Sequence, residues 1–133
     1  MLPTNTLYIG NLNIVEEEKE FLSFYKIQII NKSDISRDAA LIKNVLRDFV
    51  MRFDHLHISF DIDVFDKSVV KATGTPSKHG LLEEDIFPLL EVLSEHKEIS
   101  IDLVEVNPKK EGGKQTVEIA REIICLLTKG LGL

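Results

Sequence analysis

The chain has 133 residues, of which 44% are hydrophobic and 29% charged, a composition typical of one globular domain with a real core. The net charge of −6 argues against a protein that binds nucleic-acid backbones, and no apolar run reaches the length of a membrane span. The single cysteine, Cys125, excludes an internal disulfide and is predicted to be a small buried side chain. The first residues do not form a signal peptide, so the expected compartment is the cytoplasm.

The first half of the chain alternates between strand and helix patterns. Strands are predicted over residues 6–10 and 25–30, and helices over residues 16–24 and 37–53. Ser36 is the predicted cap of the second helix, whose inward residues are Leu41, Val45, Leu46, Phe49 and Phe53. Because the first strand begins almost at the first residue, the chain is expected to start inside a larger fold.

The second half continues the alternation around one long loop. Strands are predicted over residues 55–62 and 99–106. One helix is predicted from Asp85, its cap, to residue 96, with Pro88 in the first turn. The last helix is predicted over residues 114–129, with Gly130 as its carboxyl-terminal cap and Val117, Ala120, Ile124 and Leu127 facing inward. Residues 64–82 lack periodicity but are not low in complexity, which predicts an ordered, functional loop.

The order of these elements predicts the fold class. Strand and helix alternate four times, and no hairpin signal joins neighbouring strands. That pattern is typical of an α/β domain with a mainly parallel sheet of about four strands between helices. With no linker or internal repeat visible, residues 1–133 form a single predicted domain.

Acidic residues follow the third predicted strand. In the stretch HISFDIDVFD, residues 57–66, strand alternation places His57, Ser59, Asp61 and Asp63 on one face. Two carboxylates on one face at the end of a buried strand are costly unless a cation lies between them, which favours a divalent metal. The alternative is a solvated turn in which an aspartate caps the backbone.

Further polar residues are expected at the same end of the sheet. The carboxyl ends of parallel strands form the usual ligand site, and here they carry Asp61, Asp63, Asp66, the loop to Gly80, and Glu105. Glu105 either points to solvent or faces the cleft that holds Asp61 and Asp63.

Three sequence blocks together resemble the carboxyl-terminal half of the arginase family, the ureohydrolases. The blocks are SFDIDVFD at residues 59–66, ATGTP with the following glycine and leucine at residues 72–76 and 80–81, and DLVEVNP at residues 102–108. Their order and spacing agree with the family over nearly the whole chain. Phe65 and the ATGTP form are more similar to arginase and formimidoylglutamase than to agmatinase.

The resemblance implies a partial, truncated three-layer α/β/α fold and a centre with two manganese ions that hydrolyses a guanidino or amidino C–N bond. It implies that Asp61 bridges both ions and that Asp63 binds one of them, since hard carboxylates suit manganese. Glu105 is implied to be catalytic by binding the substrate guanidinium, with Thr75 lining the pocket beside it. His57 matches a family position that is not a ligand and is predicted to be buried and hydrogen-bonded.

The chain also departs from the family. The remaining metal ligands and the proton-shuttle histidine belong to an amino-terminal half that these residues do not match, so the chain alone is expected to be inactive. Asn13 and Val15 stand where arginases carry two aspartates that contact the substrate's α-amino group. The family strand between the first and third strands is also missing, so these two strands either pair directly or leave a slot. The implied partners are a guanidino or amidino substrate and either further copies of the chain or a complementing amino-terminal half.

Four functional hypotheses remain open. The first is an arginase, hydrolysing L-arginine to ornithine and urea, and the second is a formimidoylglutamase or agmatinase-type ureohydrolase. The third is a degenerate, non-catalytic domain that associates with a partner through its sheet edge. The fourth is a phosphatase of the haloacid dehalogenase type, which expects Gly-Thr after the second aspartate where Val64 and Phe65 stand here.

Overall fold

A computed structural model describes residues 2–10 and 14–129 as an α/β chain. Its strands are β1 (Leu7–Ile9), β2 (Gln28–Ile30), β3 (Leu56–Asp61) and β4 (Ile99–Val104). Its helices are α1 (Glu16–Phe24), α2 (Lys32–Arg37), α3 (Ala39–Val50), α4 (Glu83–Ser94) and α5 (Gly113–Thr128). Short 3₁₀ turns cover Pro3–Asn5 and Ile62–Val64. The predicted α/β class and its alternating order are confirmed.

The strands form two parallel pairs. β1 pairs with β2, and β3 pairs with β4 in the register that sets His57 beside Ser100 and Asp61 beside Val104. Within residues 2–10 and 14–129, no ladder joins one pair to the other. The expected sheet of about four strands is therefore two sheets of two strands, because β1 and β3 do not pair.

The two pairs nevertheless meet at their carboxyl ends. Gly10 follows β1 with a φ of +75°, and a Cβ built there would lie 2.7 Å from side-chain atoms of Leu81 and Val64. Glycine suits this position because it alone adopts positive φ freely and leaves room for that contact. Lys32 at the start of α2 donates to the carbonyl of Gly80 at 2.6 Å. These contacts align the ends of β1 and β3 side by side.

The core lies on one face of the β3–β4 pair. Leu56 and Ile58 are buried on that face, where α4 packs between α3 and α5, while His57 and Ser59 on the opposite face are exposed. The predicted alternation along β3 is confirmed. Only one helical layer covers this pair among the described residues, so the three-layer arrangement is incomplete. None of the described helices is both long enough and apolar enough to cross a membrane.

The helix predicted over residues 37–53 is two helices. α2 ends at Arg37, and the carboxylate of Asp38 accepts a hydrogen bond from the amide of Leu41 at 2.9 Å to cap α3. The prediction of Ser36 as the cap is wrong, because Ser36 lies inside α2. The carboxylate of Asp38 stabilises the helix start in the same way that a serine would.

The start of α4 also differs from the prediction. The helix begins at Glu83, and Asp85 lies in its first turn, where it accepts from the amide of Leu82 at 2.9 Å. Asp85 is thus a capping-box residue rather than the cap. Pro88 lies beyond the first turn, inside the helix.

The outer face of α5 carries residues predicted to be buried. Ala120 and Leu127 face the core as predicted, but Val117 and Ile124 are exposed. Cys125 is exposed as well, so its predicted burial is wrong. Gly130, the predicted cap, lies outside the described residues, as do the turn at residues 11–13 and its Asn13.

Candidate metal and substrate site

The loop over residues 64–82 is held by buried side chains and by backbone pairing. Four apolar residues of the loop are 1% exposed or less: Phe65, Val70, Ala72 and Leu81. Phe65 pairs with Leu81, and Asp66 pairs with Ser77. A Cβ at Gly80 would come within 2.4 Å of backbone atoms of Phe65 and Asp66, so only glycine permits this crossing. The predicted order of the loop is confirmed.

Asp66 forms hydrogen bonds within its own loop. Its Oδ1 accepts from the amide of Ser68 at 2.9 Å and from the Ser68 hydroxyl at 2.7 Å. These hydrogen bonds, aided by the nearby Lys32 ammonium, hold the pKa of the Asp66 carboxyl below its usual value. Asp66 therefore stabilises the loop locally through Ser68.

Asp61 and Asp63 flank the end of β3. Asp61 Oδ1 accepts from the amide of Asp63 at 2.8 Å, and Asp63 Oδ2 accepts from the amide of Thr75 at 3.2 Å. Ile62 between them is 0% exposed and fixes both carboxylates relative to the core. Asp63 Oδ1 is buried and has no hydrogen-bond partner among the described residues.

That unpaired oxygen fits a bound cation. A buried carboxylate oxygen without a donor costs about 1–3 kcal/mol, and such an atom calls for an explanation. The Asp61 carboxylate accepts from the backbone amide of Asp63, and both carboxylates offer the hard oxygen atoms that a divalent ion of the manganese class prefers. Within the described ranges, no group of three or more His, Cys, Asp or Glu residues could hold a metal. The two aspartates thus fit a metal as part of a ligand set.

Glu105 follows β4 in an unusual backbone conformation. Its φ is +65°, in the left-handed region that costs a non-glycine residue about 1–2 kcal/mol. A Cβ built on Gly74 would lie 2.6 Å from Glu105 Oε2, so the carboxylate rests against the backbone beside Thr75. Because the amide of Thr75 binds Asp63, the loop brings Glu105, Thr75 and the aspartates together. Strain of this kind tends to occur at functional sites.

Lys110 contributes a contact that the sequence analysis missed. Its ammonium donates to the carbonyl of Thr73 at 2.5 Å and lies 3.4 Å from the carbonyl of Gly74. The amide of Asn107 donates to the carbonyl of Ala72 at 2.9 Å, so the segment after β4 is hydrogen-bonded to the loop over residues 64–82 through both Asn107 and Lys110. The only sequence signal was a lysine soon after Asn107-Pro108, which by itself predicts a solvated side chain.

The strain at Glu105 leads to a testable prediction. Glu105→Gly is expected to be about 1 kcal/mol more stable than Glu105→Ala, because glycine adopts positive φ without the clash of a Cβ. Both variants lack the carboxylate, so the difference between their free energies of unfolding reports the backbone strain alone. Urea unfolding of both proteins measures it. At Glu91, within α4, the glycine variant should instead be less stable than the alanine variant. If alanine is more stable than glycine at both positions, Glu105 is not strained.

His57 differs from its prediction. Its side chain is 58% exposed rather than buried, because no element among the described residues covers its face of the sheet. The predicted hydrogen bonding is present, with Nδ1 2.9 Å from the Ser100 hydroxyl.

Comparison with known sequences identifies the family. Residues 1–128 match the profile of the arginase family. The chain belongs to the arginase family. It is 35% identical to mitochondrial arginase-2 of Rattus norvegicus over 136 aligned positions, covering 92% of this chain and 37% of that protein. It is 31% identical to an arginase of Staphylococcus aureus strain COL, covering 92% of this chain and 42% of that protein.

Solved structures agree with the family assignment. An arginase from Bacillus subtilis superposes with a TM-score of 0.86 at 25% identity, covering 94% of this chain and 45% of that one. The native arginase of Bacillus caldovelox superposes with a TM-score of 0.80 at 27% identity, covering 94% of this chain and 43% of that one. The chain therefore spans about two fifths of its relatives' length. These matches confirm the arginase-like fold and argue against the phosphatase hypothesis.

Proposed function

We propose that this arginase-family chain supplies the carboxyl-terminal half of a manganese-dependent ureohydrolase that hydrolyses L-arginine to ornithine and urea. The observation that carries the proposal is the buried, unpaired Asp63 Oδ1 beside Asp61, within a loop that also presents Thr75 and Glu105. A formimidoylglutamase or agmatinase-type substrate would use the same carboxylates. The cytoplasm is the proposed compartment.

Asp61 and Asp63 are the proposed manganese ligands. Their backbone hydrogen bonds occupy one oxygen of each carboxylate and orient the other oxygen, which supports a role in ligation. A pair of manganese ions, when bound, lowers the pKa of a shared water so that it is nucleophilic at neutral pH. The aspartates keep their geometry because Ile62 is fully buried between them.

Glu105 and Thr75 are the proposed substrate residues. A guanidinium is a planar cation that a carboxylate binds through charge-assisted hydrogen bonds. The Glu105 carboxylate lies against Gly74 and the following Thr75, which supports a position for the substrate directly beside the metal ligands. Lys110 is proposed to position this loop through its hydrogen bonds to the carbonyls of Thr73 and Gly74.

The remaining ligands must come from residues outside this sequence. The family resemblance assigns them to an amino-terminal half whose strand lies between those equivalent to β1 and β3. These two strands are unpaired with each other here, and that supports a slot for one more strand. A complementing amino-terminal half, rather than further copies of this chain, is the partner that the slot favours.

Complementation tests the proposal. The chain is mixed with the amino-terminal part of the Staphylococcus aureus arginase, and urea release from L-arginine is measured with manganese. Activity is expected only when both parts are present, and it should disappear with Asp61→Ala but persist with Asp102→Ala, whose side chain is 51% exposed. If the two parts form a complex that binds manganese yet releases no urea from arginine, agmatine or a formimidoyl substrate, the proposed activity is wrong.

A non-catalytic role is the second candidate. It is favoured by the incomplete ligand set of the residues that the structure describes and by Val15, an exposed apolar residue at a position where the family carries an aspartate. In that case the complex would form without a manganese site. Calorimetry with manganese on the complex separates the two candidates. Only the first candidate predicts a heat of manganese binding, and this heat should disappear in Asp61→Ala.

A further inference from the structure

A second group of potential metal ligands lies on the exposed face of β3. His57 lies on the exposed face of β3, and His55 lies in the bend directly before the strand begins. His55 Nε2 lies 3.0 Å from Ser100 Oγ, and His57 Nδ1 lies 2.9 Å from the same oxygen. Two imidazole nitrogens therefore lie within hydrogen-bond distance of one oxygen atom of β4.

Whether hydrogen bonds satisfy this arrangement depends on the tautomer of His55. The Ser100 hydroxyl has one hydrogen and can donate it to only one of the two imidazoles. The carboxylate of Asp102 lies 3.8 Å from His57 Nε2 and favours the tautomer with the proton on that nitrogen. The lone pair of His57 Nδ1 then points toward Ser100, where the lone pair of His55 Nε2 also points when its proton is on Nδ1. In that tautomer of His55, two lone pairs and one proton meet at this point, whereas with its proton on Nε2 His55 donates to the Ser100 hydroxyl.

We propose that His55 and His57, with the Ser100 hydroxyl and water, bind a borderline divalent cation of the zinc class. Imidazole nitrogens suit zinc, whereas the carboxylate oxygens of Asp61 and Asp63 suit manganese. Zinc–nitrogen bonds are about 2.0–2.1 Å long, so an ion between the two rings satisfies both lone pairs at once. Asp102 would then act as the carboxylate that orients a metal-bound histidine.

The site is separate from the manganese ligands. His57 and Asp61 lie on the same face of β3 but four residues apart, which at the rise of a strand is about 13 Å. One ion cannot bridge that distance. The inference also does not rest on the proposed hydrolase activity, because it uses only the geometry of the β3–β4 pair.

Zinc binding to the chain tests the proposal atom by atom. The chain is labelled with ¹⁵N-histidine, and zinc chloride is added while long-range ¹H–¹⁵N correlations report each ring nitrogen. The expected shifts are at His55 Nε2 and His57 Nδ1, with His79 and His96 unchanged. Calorimetry should give one zinc per chain, with affinity about tenfold or more weaker in His55→Ala and in His57→Ala. His79→Ala and Asp61→Ala are the controls that should retain the zinc affinity.

Several outcomes overturn the site. The first two are a zinc-dependent shift at His57 Nε2 in place of Nδ1 and a loss of zinc affinity in His79→Ala. The others are an unchanged zinc affinity in His55→Ala and the absence of any zinc-dependent shift. Since Asp61→Ala removes the proposed manganese site and leaves both histidines, the failure of one site is distinguishable from the failure of the other. Both histidines are exposed, so their alanine variants should fold, and the amide spectrum verifies this.

Discussion

Asp63→Asn is expected to stabilise the metal-free chain while removing its response to manganese. Among the described residues no group donates to the buried Asp63 Oδ1, and the Asp63 amide donates to the Asp61 carboxylate. Removing the negative charge at that position should raise the free energy of unfolding by about 1 kcal/mol. The amide oxygen can still accept from Thr75, so the loop keeps its hydrogen bond. In the complemented enzyme, the same change should lower kcat by about 100-fold or more.

Urea unfolding with and without manganese measures both halves of this expectation. In the complex with the amino-terminal part, manganese should raise the stability of the wild-type protein by mass action and leave Asp63→Asn unchanged. Asp102→Asn is the matched control, because it removes an exposed carboxylate from β4 and should have little effect on either quantity. If the metal-free Asp63→Asn chain is less stable than the wild type, the interpretation of Oδ1 as an unpaired ligand oxygen is wrong.

Ile62→Ala is expected to give a large loss of stability, about 2–5 kcal/mol. Ile62 is 0% exposed and lies in the 3₁₀ turn between the two aspartates, so its truncation leaves a cavity directly behind them. Against the usual stability of 5–15 kcal/mol, such a loss is a large fraction of the total. The aspartates would also lose their fixed spacing, so activity of the complemented enzyme should fall together with stability.

Two further variants separate packing from ligation. Ile62→Val removes a single methylene and should cost only about 0.5–1.5 kcal/mol with most of the activity retained. Met51→Ala removes a side chain that is 75% exposed and should change stability by about 0.5 kcal/mol or less. Unfolding curves and urea release are measured for all three. An Ile62→Ala protein as stable as Met51→Ala would show that the turn does not depend on the core.

The positions and types of the elements were largely readable from the sequence. The helix predicted over residues 16–24 has those bounds in the structure, and the strand predicted over 55–62 has the expected alternation of buried and exposed residues. Local hydrophobic period and capping chemistry determine such features, because they act within a few residues. The candidate site was readable for a related reason, since the spacing of Asp61 and Asp63 and the ATGTP loop follow one another in the chain.

The relations between distant elements were decided only by the tertiary structure. The division into two strand pairs, the exposure of His57 and the contact of Lys110 with the Thr73 carbonyl depend on what lies across a face or an edge. The positive φ of Glu105 and the unpaired Asp63 Oδ1 also carry no local sequence signal. Sequence patterns specify which residues prefer burial, but whether a given face is covered depends on segments far along the chain. The sequence by itself therefore identified most of the strands and helices and the two aspartates of this protein, but not the division between α2 and α3. The folded chain decided which oxygen of Asp63 lacks a partner among the residues that the structure describes.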